Sequence, residues 1–142
     1  MPTNTERTLK LLRDAGYDAD TDSMVERWIK NGKFYRDQKG KLREGGIRKD
    51  FKGFADILAF NDDEALLVQS CGSSYSAHLN TILAIPAAIR WAKGPNRRIL
   101  LIGWRTIKIK LKSGKKVDRW RPRIGEFHLI DGVLDCQERS EL

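Results

Sequence analysis

The chain has 142 residues, which suits one domain with a single core, and its net charge of +8 favours an anionic partner. Its two cysteines exclude a disulfide framework, and the N-terminal MPTNTERTLK lacks the apolar segment of a secretory signal. The longest apolar stretch is too short to span a membrane, so we expect a cytoplasmic protein that makes no membrane contact.

The N-terminal third is predicted to contain one helix, one short strand and one loop. Thr5–Ala15 has the spacing of an amphipathic helix that Thr5 could cap and that Gly16 ends. Met24–Ile29 is a candidate strand. The segment 30–49 carries five lysines and four glycines, a composition typical of a mobile loop.

Two apolar runs on either side of the sequence NDDE predict a β-hairpin formed by Phe54–Phe60 and Ala65–Cys71. Asp56 lies inside the first run, and Gln69 lies near the end of the second. If NDDE is a four-residue turn, counting outward from it pairs Asp56 with Gln69. The acid and the amide are therefore expected to be cross-strand neighbours at one edge of a sheet.

The C-terminal half is predicted to be a helix followed by strands. Ser76–Lys93 is expected to be one helix that Pro86 kinks. Arg98–Ile107 has the apolar core of a buried strand. Alternating Ile and Lys residues around a Ser-Gly turn predict a basic hairpin over 105–124, and Phe127–Leu134 is a candidate last strand.

This order of elements predicts an α/β fold, with a central mixed β-sheet flanked by helices. The helix after the first hairpin would cross over the sheet and place Arg98–Ile107 parallel to Ala65–Cys71. No linker or repeat interrupts the sequence, so residues 1–142 are expected to form a single domain.

Positive charge is concentrated in the segment 97–123, which has eleven Lys and Arg and one Asp, whereas the rest of the chain has a net charge of −2. Membrane surface, RNA and DNA would all accept such a patch, and a merely soluble Lys-rich hairpin is the alternative. Arg and Trp suit phosphate contacts and base stacking, so we expect nucleic-acid binding. The residues expected to bind are Arg48, Lys49, Arg105, Lys108, Lys110, Lys112, Lys115, Lys116, Arg119, Trp120 and Arg121.

Three segments resemble the PD-(D/E)XK nuclease superfamily, and most closely its archaeal Holliday-junction resolvases, VRR-NUC proteins and small phage-type members. ERTLKLLRDAGY is similar to the family's first helix, whose metal-binding glutamate matches Glu6. GFADILAF is similar to the strand that carries the motif aspartate, which matches Asp56. ALLVQSC is similar to the strand that normally ends in Glu-X-Lys, so Gln69 and Cys71 stand at the Glu and Lys positions.

The resemblance implies a restriction-endonuclease-like core and a metal-dependent endonuclease that hydrolyses DNA, with branched or nicked DNA as candidate substrates. It implies Mg²⁺ or Mn²⁺ as the cofactor, and a homodimer as in small resolvases. Divalent cations of this kind prefer oxygen ligands and activate water for hydrolysis. The expected metal ligands are Asp56 and Gln69 with one or more of Glu6, Glu26 and Asp50.

Glu26 and Asp50 are candidates because one lies on a strand expected beside the hairpin and the other lies shortly before Asp56. The alternatives are an exposed strand acid for Glu26 and a turn residue for Asp50. His78, at the start of the predicted helix, could reach the site or could be a polar first-turn residue. The serine-rich SCGSSYS could hold phosphate through backbone N–H groups or could be a turn with a helix cap.

Cys71 is the main departure from the family pattern, because a thiol cannot act as the cation that the motif lysine supplies. One hypothesis is that another basic residue takes this role, with Lys52 preferred as a catalytic residue beside Asp56, Gln69 and Glu26. Arg48, Lys49, Arg90 and Lys108 are the other candidates. The second hypothesis is a catalytically inactive protein of the nuclease fold that binds nucleic acid or a protein partner.

Overall fold

The computed structural model describes residues 1–21 and 25–142, with the backbone alone for 25–29 and 47–49. One helix is followed by five strands, and two further helices are followed by three strands. The elements are α1 (Asn4–Asp14), β1 (Asp18–Asp20), β2 (Val25–Arg36), β3 (Leu42–Asp50), β4 (Ile57–Phe60), β5 (Ala65–Cys71), α2 (Tyr75–Ala84), α3 (Pro86–Lys93), β6 (Arg97–Lys110), β7 (Lys116–Ile130) and β8 (Val133–Arg139).

The main sheet has six strands in the order β1-β4-β5-β6-β7-β8. β5 and β6 are parallel and are joined through α2 and α3, whereas the other neighbours are antiparallel. The predicted mixed sheet flanked by helices is therefore confirmed. β1, a three-residue strand that pairs with β4 at the edge of the sheet, was not predicted.

Apolar side chains cover both faces of the main sheet, which explains why β5 and the first half of β6 are almost continuously apolar. One face packs against α1, and the other packs against α2 and α3. The α1 face contains Leu12, Ile57, Ala59, Leu66, Val68, Leu100, Ile102 and Ile124, and the opposite face contains Leu67, Ile82, Ala88, Ile99, Leu101 and Phe127.

The segment predicted as one kinked helix is two helices. Ile85, between α2 and α3, has an extended backbone (φ −92°, ψ 119°) because proline disfavours a helical conformation in the residue before it. Pro86 then begins α3, at a position where its missing N–H costs nothing. In the described part of the chain, no helix combines the length and the apolarity that a bilayer crossing requires.

The prediction that the segment 30–49 is a loop is wrong. The segment contains most of an antiparallel hairpin formed by β2 and β3, which make a separate two-stranded sheet. The Asp37 side chain accepts hydrogen bonds from the N–H groups of Lys39 and Lys41, both at 2.9 Å, and so closes the turn. A register shift between Lys30 and Phe34 interrupts the alternation that would have indicated a strand.

The predicted basic hairpin is present and is longer than expected. β6 and β7 stay paired from Ile99 opposite Phe127 to Lys110 opposite Lys116. The predicted last strand is divided between the end of β7 and the start of β8. Beyond Trp104 the hairpin leaves the core, and most of its side chains are exposed.

Two glycines let the first helix after β5 pack closely on the sheet. A Cβ on Gly103 would lie 2.8 Å from Tyr75 Cδ2, and a Cβ on Gly125 would lie 2.7 Å from Cys136 Sγ and closer still to the Tyr75 hydroxyl. Tyr75 is only 5% exposed. The missing side chains therefore create the space that fixes the start of α2 beside the end of β5.

Replacing Gly125 with alanine should destabilise the fold by about 1–3 kcal/mol, because the new methyl group overpacks against Tyr75 and Cys136. Urea unfolding of the wild type and Gly125→Ala measures this difference. The double variant Gly125→Ala with Tyr75→Phe should lose less than the sum of the two single changes, since removal of the hydroxyl restores space. Wild-type stability in Gly125→Ala would contradict this packing.

Candidate active site

The predicted meeting of an acid and an amide at the edge of the hairpin is confirmed. β4 begins at Ile57, later than predicted, but the backbone N–H of Asp56 donates to the Val68 carbonyl at 3.0 Å and continues the strand register. The Gln69 Nε2 group donates a hydrogen bond to Asp56 Oδ2 at 3.4 Å. The side chains therefore lie side by side at the end of the hairpin farthest from its turn.

The carboxamide oxygen of Gln69 is buried without a hydrogen-bond partner among the residues that the structure describes. The residue is 4% exposed, and its Nε2 group also donates to the Ser70 carbonyl at 3.2 Å. Leaving a buried carbonyl oxygen unpaired usually costs about 1–3 kcal/mol. The amide presents its nitrogen to Asp56, so this oxygen would reach a cation shared with Asp56 only after the carboxamide rotates.

The Asp56 carboxyl has a strongly perturbed acidity. Burial raises its pKa to about 7, against the lowering effect of the Ser70 N–H, which donates to Oδ1 at 3.1 Å. The nearby Asp50 carboxylate raises the pKa of Asp56 further. The shift shows that a negative charge at this place is poorly compensated by the described residues.

The β2–β3 hairpin brings Asp50 to the same place. Asp50 is the last residue of β3, and burial raises the pKa of its carboxyl, whereas the nearby His78 ring lowers it. His78 lies in the first turns of α2. Asp50 therefore interacts electrostatically with both the Asp56 carboxyl and the His78 ring.

Cys71 lies next to this group but stays neutral. It is 6% exposed, and burial together with the charge of Asp56 raises the pKa of its thiol to about 11. At neutral pH it is therefore neither a cation nor a thiolate. The side chain at the position of the motif lysine cannot supply the lysine's charge.

Glu6, expected to be a metal ligand, has a structural task at the start of α1. Its carboxylate accepts a hydrogen bond from the Thr3 N–H at 2.7 Å, and its own N–H donates to Thr3 Oγ1 at 3.1 Å. This reciprocal pair is a capping box, so Thr3 rather than Thr5 caps the helix. The spacing Thr-X-X-Glu was the signal in the sequence that could have revealed it.

Lys52, the preferred replacement for the motif lysine, contacts other residues. It lies in the turn before Asp56 with φ +53°, and its ammonium is 5.9 Å from the centre of the Phe51 ring. Its side chain lines a cavity of about 210 Å³ together with Arg90 and Trp91, and the lining of that cavity does not include Asp56. The basic side chain that the structure does place at the site, within its described part, is His78.

Three other predicted residues lie on the β2–β3 hairpin. The side chains of Glu26, Arg48 and Lys49 are outside the described residues, so their predicted roles are untested. The backbone register pairs Val25 with Asp50. The start of β2 therefore lies beside Asp50, the last residue of β3.

A buried hydrogen-bond chain that the sequence did not reveal supports the site from the α1 face. The Thr8 hydroxyl donates to the Asn4 carbonyl at 3.0 Å, accepts the Trp104 indole N–H at 2.8 Å, and lies 2.7 Å from the Ser70 hydroxyl. Because Thr8 has one proton and two lone pairs, Ser70 donates to it. The same Ser70 holds Asp56 through its backbone N–H.

The basic hairpin presents different residues on its two faces. Pairing of Gly103 with Arg123, Arg105 with Arg121 and Ile107 with Arg119 places the arginines on the sheet face that carries Asp56 and Gln69. The opposite face carries Lys108, which forms an ion pair with Asp118 at 3.0 Å, and Lys110, Lys116 and Trp120. Lys112 and Lys115 lie in the turn between the strands.

A second buried cluster of charge lies at the other end of the β4–β5 hairpin. Arg98 pairs with Glu64 at 2.6 Å and with Glu126 at 2.9 Å, and Arg139 pairs with Glu126 at 2.6 Å. The Tyr17 hydroxyl joins the cluster. Arg98 lowers the pKa of Glu64, so these acids are compensated, unlike Asp56.

The described residues contain no group of three or more His, Cys, Asp or Glu side chains that is placed to hold one metal ion. Comparisons of the chain with protein-family models, with curated proteins and with solved structures find no match. The resemblance to the nuclease superfamily therefore stays a prediction, and any functional conclusion depends on the geometry of this site.

The raised pKa of Asp56 should make the metal-free fold less stable as the pH rises. The folded carboxyl keeps its proton up to about pH 7, whereas the unfolded carboxyl loses it near pH 4, so the folded state binds more protons between these values. The free energy of unfolding should fall by at most about 1.4 kcal/mol per pH unit over that window.

Urea unfolding from pH 4.5 to 8 in a chelator measures this slope. Asp56→Asn, which cannot titrate, should have a flatter profile than the wild type over the same window. Identical profiles would show that the carboxyl titrates normally in the folded protein.

Proposed function

We propose that this protein is a metal-dependent endonuclease that hydrolyses DNA phosphodiester bonds, with a core of the restriction-endonuclease type. The observation that carries the proposal is the contact of the Asp56 carboxylate with the Gln69 carboxamide at 3.4 Å, beside Asp50. Perturbed acids that gather at one place in a fold are a common property of catalytic sites. The proposed substrates are branched or nicked DNA.

The donor set fits Mg²⁺ or Mn²⁺. Asp56 offers a carboxylate, Gln69 offers a buried carbonyl oxygen without a described partner, and Asp50 adds a second acid. Mg²⁺ in phosphoryl-transfer sites is usually held by one or two carboxylates together with water and substrate phosphate, so a complete protein cage is not needed. When bound, such an ion stabilises charge on the phosphoryl group and makes hydroxide available near neutral pH.

Different residues of the chain would have different roles around that ion. Asp56 would hold it together with Gln69, whose carboxamide would have to rotate to present its oxygen. The Ser70 N–H fixes one Asp56 oxygen, and the other oxygen accepts a hydrogen bond from Gln69 Nε2. His78 lies close enough to Asp50 to lower the pKa of its carboxyl, and its ring nitrogens can donate or accept a hydrogen bond. We assign to His78 the proton transfer that the family pattern gives to its lysine.

The basic hairpin would hold the DNA backbone. Arg105, Arg119 and Arg121 project from the sheet face that also carries Asp56, and all three are exposed. Arginine binds phosphate oxygens in a bidentate manner and keeps its charge at any physiological pH. A duplex that lies along this face would bring a phosphate toward the acids.

A second candidate function is nucleic-acid or protein-partner binding by the same fold without cleavage. The observation that favours it is Cys71, a neutral buried thiol at the position where the resembling nucleases have lysine. On this hypothesis the arginine face binds DNA and Asp56 does not support hydrolysis. The two functions differ in metal dependence and in cleavage.

Asp56→Asn should lower DNA cleavage at least about 100-fold, because it removes the charged metal ligand while keeping the size of the side chain. Plasmid and branched DNA incubated with Mg²⁺ or Mn²⁺ report cleavage, and the shift of melting temperature by Mn²⁺ reports metal binding separately. Gln69→Glu should strengthen the Mn²⁺-induced shift, since it adds a second charged ligand.

Asp62→Asn is the matched control, because Asp62 is an exposed acid in the turn at the other end of the hairpin. It should leave both the cleavage and the Mn²⁺ shift at the wild-type level. Equal DNA binding without cleavage in the wild type and Asp56→Asn would favour the second candidate. Cleavage that survives in Asp56→Asn would overturn the assignment of the site.

Arg119→Gln and Arg121→Gln should each weaken DNA binding in a chelator and lower the steepness of its salt dependence by about one phosphate contact. Fluorescence anisotropy of a labelled duplex at several salt concentrations measures both quantities. Lys93→Gln, at the exposed end of α3, removes the same charge and should have little effect. An equal loss in all three variants would indicate an effect of net charge alone.

A further inference from the structure

A cavity of about 430 Å³ lies beyond the carboxyl ends of the parallel strands β5 and β6. Its lining comes from Gly72 and Ser73, which follow β5, and from residues of α2, β6 and β7. Cys71 pairs with Gly103, which lines the cavity. The charge of Asp56 contributes to the raised pKa of the Cys71 thiol. Crevices outside the carboxyl ends of parallel strands are common ligand sites in α/β sheets.

Two tryptophans give this cavity fixed aromatic walls. The Trp104 indole is held by its hydrogen bond to Thr8 Oγ1 at 2.8 Å. Trp120 is held by Arg7, whose guanidinium carbon lies 3.7 Å from the ring centre. Arg7 and Trp120 together line a neighbouring cavity, whereas Trp120 without Arg7 lines the first cavity.

The polar lining suits a phosphate and a base edge. Arg105 and Arg123 supply positive charge, and Ser73 and Thr106 supply hydroxyl groups. Arg123 is already positioned, because its guanidinium lies 4.0 Å from the centre of the Tyr75 ring and is paired with Glu138. Flat aromatic walls beside arginines are the arrangement that binds single-stranded nucleic acid by stacking and phosphate contacts.

We propose that this cavity binds one unpaired nucleotide of a DNA strand, with its base stacked on Trp120 and its phosphate at Arg105 and Arg123. This inference rests on the proposed function and names the feature of the substrate that the protein selects. The cavity volume lies within the range of about 300–1,000 Å³ that is usual for small-ligand sites. A base in intact duplex is stacked and paired and does not enter, whereas a base at a gap, flap or junction enters at low cost.

The cavity is also coupled to the acids. Trp104 is bonded to Thr8, Thr8 contacts Ser70, and Ser70 holds Asp56 through its N–H. Ser70, which holds Asp56, lies in the chain just before Gly72 and Ser73, which line the cavity. The cavity would select DNA with a local loss of pairing and would orient it for the site.

The test compares binding of a gapped duplex with binding of an intact duplex of equal length, by fluorescence anisotropy in a chelator so that no cleavage occurs. The wild type should prefer the gapped duplex, and Trp120→Ala should lower this preference about tenfold, since each stacked base contributes strongly to binding. Trp120→Phe should keep most of the preference, because phenylalanine also offers a stacking face. Oligo(dT) should quench tryptophan fluorescence in the wild type and less in Trp120→Ala.

Trp91→Phe is the matched control, because Trp91 donates its indole N–H to the Arg98 carbonyl on the α3 side and does not line the cavity. It should keep the preference for the gapped duplex. Circular dichroism melts of all variants establish that they are folded. A preference for gapped DNA that is equal in the wild type and in folded Trp120→Ala would overturn the assignment of the cavity.

Failure of this inference is distinguishable from failure of the proposed function. If the wild type binds and cuts DNA but does not distinguish gapped from intact duplex, the cavity proposal alone is overturned. If the wild type binds neither DNA, both proposals are overturned. Loss of the preference in Trp120→Ala together with Asp56-dependent cleavage supports both.

Discussion

The antiparallel register of β4 and β5 is the constraint on which the site depends. Ile57, Ala59, Leu66 and Val68 are fully buried against α1, and this burial fixes which residues of the two strands are opposite each other. A shift by one residue would turn every side chain of β4 to the other face and drive Asp56 into the apolar core. The meeting of Asp56 with Gln69 therefore follows from hydrophobic packing on the far side of the sheet.

The acidic residues at the two ends of the β4–β5 hairpin differ in how their charge is compensated. At the turn end, Arg98 forms ion pairs with the half-buried Glu64 and the buried Glu126. At the open end, Asp56 and Asp50 lie near each other, and burial raises the pKa of both. Within the described residues, the acids at the turn end are paired with arginine and form a structural cluster, whereas Asp56 and Asp50 lack such compensation and form a candidate functional one. This difference in charge compensation distinguishes the structural cluster from the candidate functional one better than burial or sequence position does.

Two further hairpins contribute charged side chains near the open end of the sheet. The β2–β3 hairpin contributes Asp50 at the end of its second strand, and the β6–β7 hairpin contributes arginines on the Asp56 face. The cavity beside Trp104 and Trp120 lies at the base of the second hairpin. Acids that could hold a cation, arginines that suit phosphate and tryptophans that suit a base thus come from separate parts of the chain. Each contributes one kind of chemistry to the proposed recognition of DNA.

The amino-acid sequence by itself determined the β4–β5 pairing, the parallel placement of β6 and the basic hairpin, because strand alternation and turn residues act over a few neighbouring positions. It also showed that Cys71 replaces a lysine in the pattern it resembles. Only the tertiary structure decided that Asp50 lies near Asp56 and His78, and that Thr8 connects Ser70 with Trp104. These contacts join residues far apart in the chain, and no local periodicity encodes them. Their geometry depends on how the helices and hairpins pack on the finished sheet.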